Sequence, residues 1–131
     1  MIRILILAAF TVFLVQCEDK ETDAVYAAQI CLNNADSSNV DTCVQKINGY
    51  GSPLAYRIRC GADFIRQNIT GSRIVDALER LDNNTDNSKD PMAHMMAFVT
   101  FDSVANVDAA IVNCTASGSE GMVNIAYMSK M

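Results

Sequence analysis

Apolar side chains recur along this chain with the period of an α-helix. Val40, Cys43, Val44 and Ile47 fall at i, i+3, i+4 and i+7, the spacing that lines one helical face. Met92, Met95, Met96 and Val99 repeat it, as do Val107, Ala110, Ile111 and Cys114. Leu54, Ile58, Ala62 and Ile65 form another stripe, and Ile74, Val75, Leu78 and Leu81 a further one. No stretch sustains the two-residue alternation of a half-buried strand.

The punctuation between stripes agrees. Ser52-Pro53 and Asp90-Pro91 each place a capping side chain before a proline at the first helical position. Ser38 and Asp41 have the spacing of a capping box. Gly51, Gly71 and Gly118 fall in turns. The pattern predicts helices over residues 23–34, 39–48, 53–67, 72–82, 91–101, 104–116 and 119–130. The fold class is therefore all-α: six to seven short helices in antiparallel hairpins, stacked as a solenoid or gathered into a compact bundle.

Val-Asp recurs at Val40-Asp41, Val75-Asp76 and Val107-Asp108, and Pro53-Leu54-Ala55 is echoed by Pro91-Met92-Ala93. Each Val-Asp is expected to open the second helix of a hairpin. The period is similar to that of tetratricopeptide and Sel1-type repeats. Their aromatic, small-residue and proline signatures are missing here, so the resemblance implies the architecture of stacked helical hairpins alone.

The first residues follow a different pattern. Met1-Ile2-Arg3 is a short positive start, and Ile4 to Val15 runs twelve residues without a charge. A membrane-spanning helix needs about 20 apolar residues, whereas twelve is the length of the apolar part of an export leader. Leu14-Val15-Gln16-Cys17 follows and resembles the lipobox of bacterial lipoproteins, with Gln16 standing where that family usually carries Gly or Ala. The resemblance implies cleavage before Cys17 and acylation of its thiol. It divides the chain into a signal peptide (1–16), a lipidated polar tether (17–22) and one helical domain (23–131). The expected location is outside the cytoplasm. The chain would be lipid-anchored to a bacterial membrane on its periplasmic or cell-surface side, with secretion after leader cleavage as the alternative.

Cys17 aside, four cysteines remain: Cys31, Cys43, Cys60 and Cys114. An even set in an exported chain reads as disulfides. No two lie at C-x-x-C spacing, which argues against a redox-active pair or a zinc knuckle. Cys31 and Cys43 lie equally far from a turn centred near Ser37, so a helical hairpin would join them. That leaves Cys60 for Cys114, among the three connectivities four cysteines allow.

Half of the residues are apolar, enough for one folded core, and the net charge is −5. That sign excludes nucleic acid as a partner, since phosphate binding needs a positive field. The charge is uneven: Arg57, Arg59, Arg66, Arg73 and Arg80 crowd one segment against only Asp63, Asp76 and Glu79. Solvated salt bridges account for such a run, and so does a partner-binding patch.

Candidate chemistry is sparse. Asp82, Asn84, Asp86, Ser88 and Asp90 alternate like the early ligands of a calcium loop. Asn87 stands where that loop needs glycine, and Ala93 where it needs a bidentate glutamate. Met92, Met95 and Met96 beside His94 carry donors suited to copper(I), but the methionines already form a core stripe. His94 is the one histidine, and no nucleophile or nucleotide motif accompanies it. The reading is no enzyme and no required cofactor, with calcium the one candidate ion. The expected role is a non-catalytic, membrane-tethered adaptor for an envelope protein, with the five arginines as its contact surface. The alternative is a secreted helical protein that binds a small ligand or calcium.

Overall fold

The computed structural model describes residues 20–82 and 98–130 and, of residues 77, 78 and 80–82, the backbone alone. The described residues are helical and connecting, with no strand. The helices are α1 (Lys20–Leu32), α2 (Val40–Gln45), α3 (Pro53–Arg66), α4 (Gly71–Asp82), α5 (Val104–Ala116) and α6 (Glu120–Met128).

α1 begins three residues earlier than the apolar pattern predicts, inside the stretch read as a tether. Glu21 and Asp23 occupy its first turn, where carboxylates interact favourably with the exposed amides and the helix dipole. Glu21 Oε1 also accepts from the Ser52 amide at 3.3 Å, joining the start of α1 to the start of α3.

The Ser38–Asp41 capping box does not form. Asp36 takes both Ser38 donors, at 2.8 Å from the amide and 2.6 Å from the hydroxyl. A local turn of this kind competes directly with a cap. These bonds, led by the hydroxyl, also lower the Asp36 pKa. α2 is correspondingly short. Lys46, Ile47 and Asn48 donate three residues back, and Gly49 turns the chain at φ +89°.

α3 starts as predicted. Pro53 holds the first helical position, and Ser52 Oγ accepts from the Ala55 amide at 3.2 Å. Its buried face differs from the single stripe read from the sequence. Leu54 is 48% exposed, and Ala55 takes its place inside. Ala55, Ile58 and Ala62 join Ala28, Leu32, Val40, Cys43 and Ile47 in one core. Cys60 and Phe64 join Ile69, Phe101, Val107, Ala110, Cys114 and Ala126 in another. A helix between two cores is apolar on both flanks, so one four-residue stripe misses half of it.

The architecture follows from α3. α1 and α2 pack together and against α3 on one side; α5 packs on the other and carries α6. The Phe64 ring meets Phe101 edge-on at 5.3 Å across the second core. Of the three Val-Asp pairs, Val40-Asp41 opens α2, whereas Val75-Asp76 and Val107-Asp108 lie inside α4 and α5, not at their first residues. In α4, Ile74 packs on the second core, but Val75 is 52% exposed and leaves the expected stripe.

Two disulfides lock this arrangement. Cys31–Cys43 ties α1 to α2, and Cys60–Cys114 ties α3 to α5 across 54 residues of sequence. No helix among the described residues is long and apolar enough to cross a membrane.

Candidate functional site

Of the five arginines, the four whose side chains are described do not form one surface. Positions 57 and 59 lie about 200° apart around α3. Arg59 points back to the α2 side, donating to the carbonyls of Ile47 (3.1 Å) and Tyr50 (2.7 Å) and lying 5.0 Å over the Tyr56 ring. Arg66 bridges two carboxylates. Its Nε donates to Asp41 Oδ1 at 2.8 Å, and its Nη1 donates to Asp63 Oδ1. Arg73 Nη1 donates to the Asn68 carbonyl at 3.2 Å. The Arg80 side chain lies outside the described residues. Arg57 is exposed and takes part in no ion pair or hydrogen bond among the described residues.

Asp63 is the buried charge among the described residues, only 7% exposed between α3 and α5. Burial raises its pKa. The hydrogen bond from Asn113 and the Arg66 guanidinium pull the other way. Asn113 Nδ2 reaches Asp63 Oδ2 at 2.7 Å. This network is closed: donors meet acceptors, and no polar side-chain atom buried among the described residues lacks a partner. It ties α2, α3 and α5 together, with Asp41 at its exposed end.

Among the described residues an open groove runs along α3. Arg57, Gly61 and Ile65 form its floor at four-residue spacing, which puts them on one helical face. Gln29 and Leu32 of α1 and Asn33 just after it make one wall, and Ser119 and Met122, at the start of α6, the other. Beyond Gly61 the groove widens into a space of about 580 Å³ between Phe64, Ile69, Ile74 and Ile125. The adjoining stretch that reaches Arg57 is about 330 Å³. No carboxylate, imidazole or free thiol lines either part.

Gly61 creates this depth. A Cβ at that position would point into the groove and meet only Leu32 Cδ1, at 3.8 Å. Glycine inside a helix costs about 1 kcal/mol relative to alanine. That local cost was the one sequence signal for the site. The wall residues carried none, because only tertiary packing brings α1 and α6 alongside α3.

The calcium-like set (Asp82, Asn84, Asp86, Ser88 and Asp90) lies outside the described residues, apart from the backbone of Asp82. So do Met92, His94, Met95 and Met96. Among the described residues no group of three or more His, Cys, Asp or Glu side chains is placed to hold a metal ion. Comparison of the chain with protein-family models, with curated proteins and with solved structures finds no match.

Proposed function

We propose that the protein is a non-catalytic binding module of the cell envelope, tethered by lipid on Cys17, that works through the groove between α1, α3 and α6. The observation that carries this reading is the groove itself: apolar, open to solvent, and floored by a glycine that α3 would be more stable without. Its size falls in the range of about 300–1,000 Å³ common to small-ligand sites.

Two further features support the reading. Two disulfides suit an oxidising space outside the cytoplasm. Each also fixes one groove helix to a neighbour outside the groove, α1 to α2 and α3 to α5, which limits the ordering entropy lost on binding. From Cys17 to Lys20 the chain can extend no more than about 11 Å. A lipid on Cys17 would therefore keep the start of α1, and with it the domain, at the membrane surface, where even a weak contact gains from local concentration.

An environment-sensitive apolar dye tests this directly. The dye should bind with one-to-one stoichiometry. Gly61→Leu should abolish binding while both disulfides and the helical circular dichroism are retained. Dye binding that survives Gly61→Leu unchanged would remove the groove from the argument.

A further inference from the structure

The groove is charged at one end and uncharged at the other. Its charged end is Arg57 with Gln29, Asn33 and Ser119. Its far end is lined by Phe64, Ile69, Ile74 and Ile125 together with Thr70 and Ser72. Along α3, Arg57 and Ile65 are eight residues apart, a rise of about 12 Å. A narrow chain of about that length would lie along the floor that these residues make.

The charge pattern narrows the guest further. Arg59, Arg66 and Arg73 are engaged inside the protein. Arg57 is the one charged residue lining the groove, and no acid lines it beside Arg57. One guanidinium matches one carboxylate through paired N–H donors. A phosphate head carries nearly twice that charge and would call for a second cation. The chain's net charge of −5 repels anions only weakly beyond the Debye length of about 8 Å, so the local pairing at Arg57 decides.

We infer that the groove binds a long-chain monocarboxylate, a fatty acid, with its carboxylate on Arg57 and its alkyl chain lying over Gly61 toward Ile69 and Ile74. The inference rests on the groove being the working surface, and it adds the identity of the guest. Gly61 is a specificity residue in this account: any side chain there lies where the first methylenes must pass. The uncharged end sets chain-length preference, because each methylene buried there should tighten binding about fourfold.

Titration calorimetry of the disulfide-bonded protein with octanoate, decanoate, dodecanoate, dodecan-1-ol and dodecyl phosphate reads out each part. Dodecanoate should bind at one site, more tightly than octanoate by the factor above per methylene. Arg57→Gln should weaken dodecanoate about threefold to fivefold, as for an exposed ion pair, and leave dodecan-1-ol unchanged. Gly61→Leu should abolish both. Equal affinity for dodecanoate and dodecan-1-ol in the unsubstituted protein would overturn the Arg57 pairing, and tighter binding of dodecyl phosphate would overturn the monocarboxylate. Should the apolar dye enter the groove while no dodecanoate binds, the guest is wrong and the binding module stands. If neither enters, both fall.

Discussion

Asp63 of α3 accepts a 2.7 Å hydrogen bond from Asn113 of α5, and Asn113 immediately precedes the cysteine that closes the α3–α5 disulfide. A covalent and a polar tie thus sit side by side where the two cores meet. The same carboxylate also takes Arg66, whose guanidinium reaches on to Asp41 of α2. One buried acid therefore connects helices from both cores, α2 on one side and α5 on the other.

Removing the amide should be costly because it strands part of a buried carboxylate. Asn113→Ala is expected to destabilise the protein by about 1–3 kcal/mol, measured by urea unfolding with the disulfides intact. A double-mutant cycle with Asp63→Ala should show a coupling of at least about 0.5 kcal/mol. Strict additivity of the two substitutions would mean that the contact contributes nothing of its own.

The same carboxylate makes a pH prediction. Burial raises the Asp63 pKa in the folded protein, above the ordinary unfolded value of about 3.9. The folded state then binds the proton more tightly than the unfolded chain. Its contribution to stability is complete below the unfolded pKa and is lost as pH rises through the folded one. Asp36 has the opposite sign: its pKa is lowered by the Ser38 hydroxyl, so its contribution is present above the unfolded pKa and fades as pH falls through the folded value. Comparing Asp63→Asn with the parent isolates the first effect. The parent's stability relative to Asp63→Asn should grow as pH is lowered from 7 toward 3. A difference that shrinks over that range would show that Arg66 and Asn113 outweigh burial.

Gly61→Ala should stabilise the protein by about 0.5–1 kcal/mol. Alanine loses less backbone freedom than glycine in a helix, and its Cβ would meet only Leu32 Cδ1 at an ordinary contact distance of 3.8 Å. Thermal unfolding checks this. A loss of stability would mean that the packing of Leu32 against α3 is tighter than the geometry indicates. The prediction pairs with the groove tests, since the more stable variant should also have the shallower groove.

Much of the fold was legible in the residues, and for local reasons. Ser52-Pro53 marks the start of α3 because a hydroxyl cap and a proline at the first position act within one turn. The cysteine pairing was legible because Cys31 and Cys43 lie symmetrically about one turn, and the all-α class because helical periodicity is written at most positions. What failed was longer in range. Leu54 and Ala55 exchanged roles because α3 serves two cores. Arg59 and Arg66 looked like surface in sequence, but carbonyls and carboxylates from elsewhere in the chain had claimed them. The groove was invisible for the same reason, Gly61 excepted.

The two disulfides should differ in what they contribute. In the chain-entropy model a 54-residue separation restricts the unfolded chain by about 4 kcal/mol, and a 12-residue separation by about 3. Cys60 and Cys114 are also almost fully buried, at 2% and 0% exposed. The pair Cys60→Ala/Cys114→Ala should therefore lower the urea midpoint more than Cys31→Ala/Cys43→Ala. The reverse order would place the dominant stabilisation in the α1–α2 hairpin, and α5 would then depend on Asp63–Asn113 and core packing for its attachment.

The proposed lipid on Cys17 makes the last prediction, and one of its outcomes reaches the groove as well. Four of the five cysteines are paired in the fold, leaving Cys17 the single thiol open to other chemistry. Protein extracted from membranes should have the mass of a chain beginning at Cys17 plus a diacylglyceryl group. Alkylation without reduction should add nothing, because the acylated sulfur is a thioether and the rest are disulfides. After reduction, four alkyl groups should add. One added group without reduction would show that Cys17 carries a free thiol. A full-length mass with five reactive thiols would place the protein in a reducing space, where neither disulfide forms. The rigid frame that makes the groove a ready-formed site would then be missing.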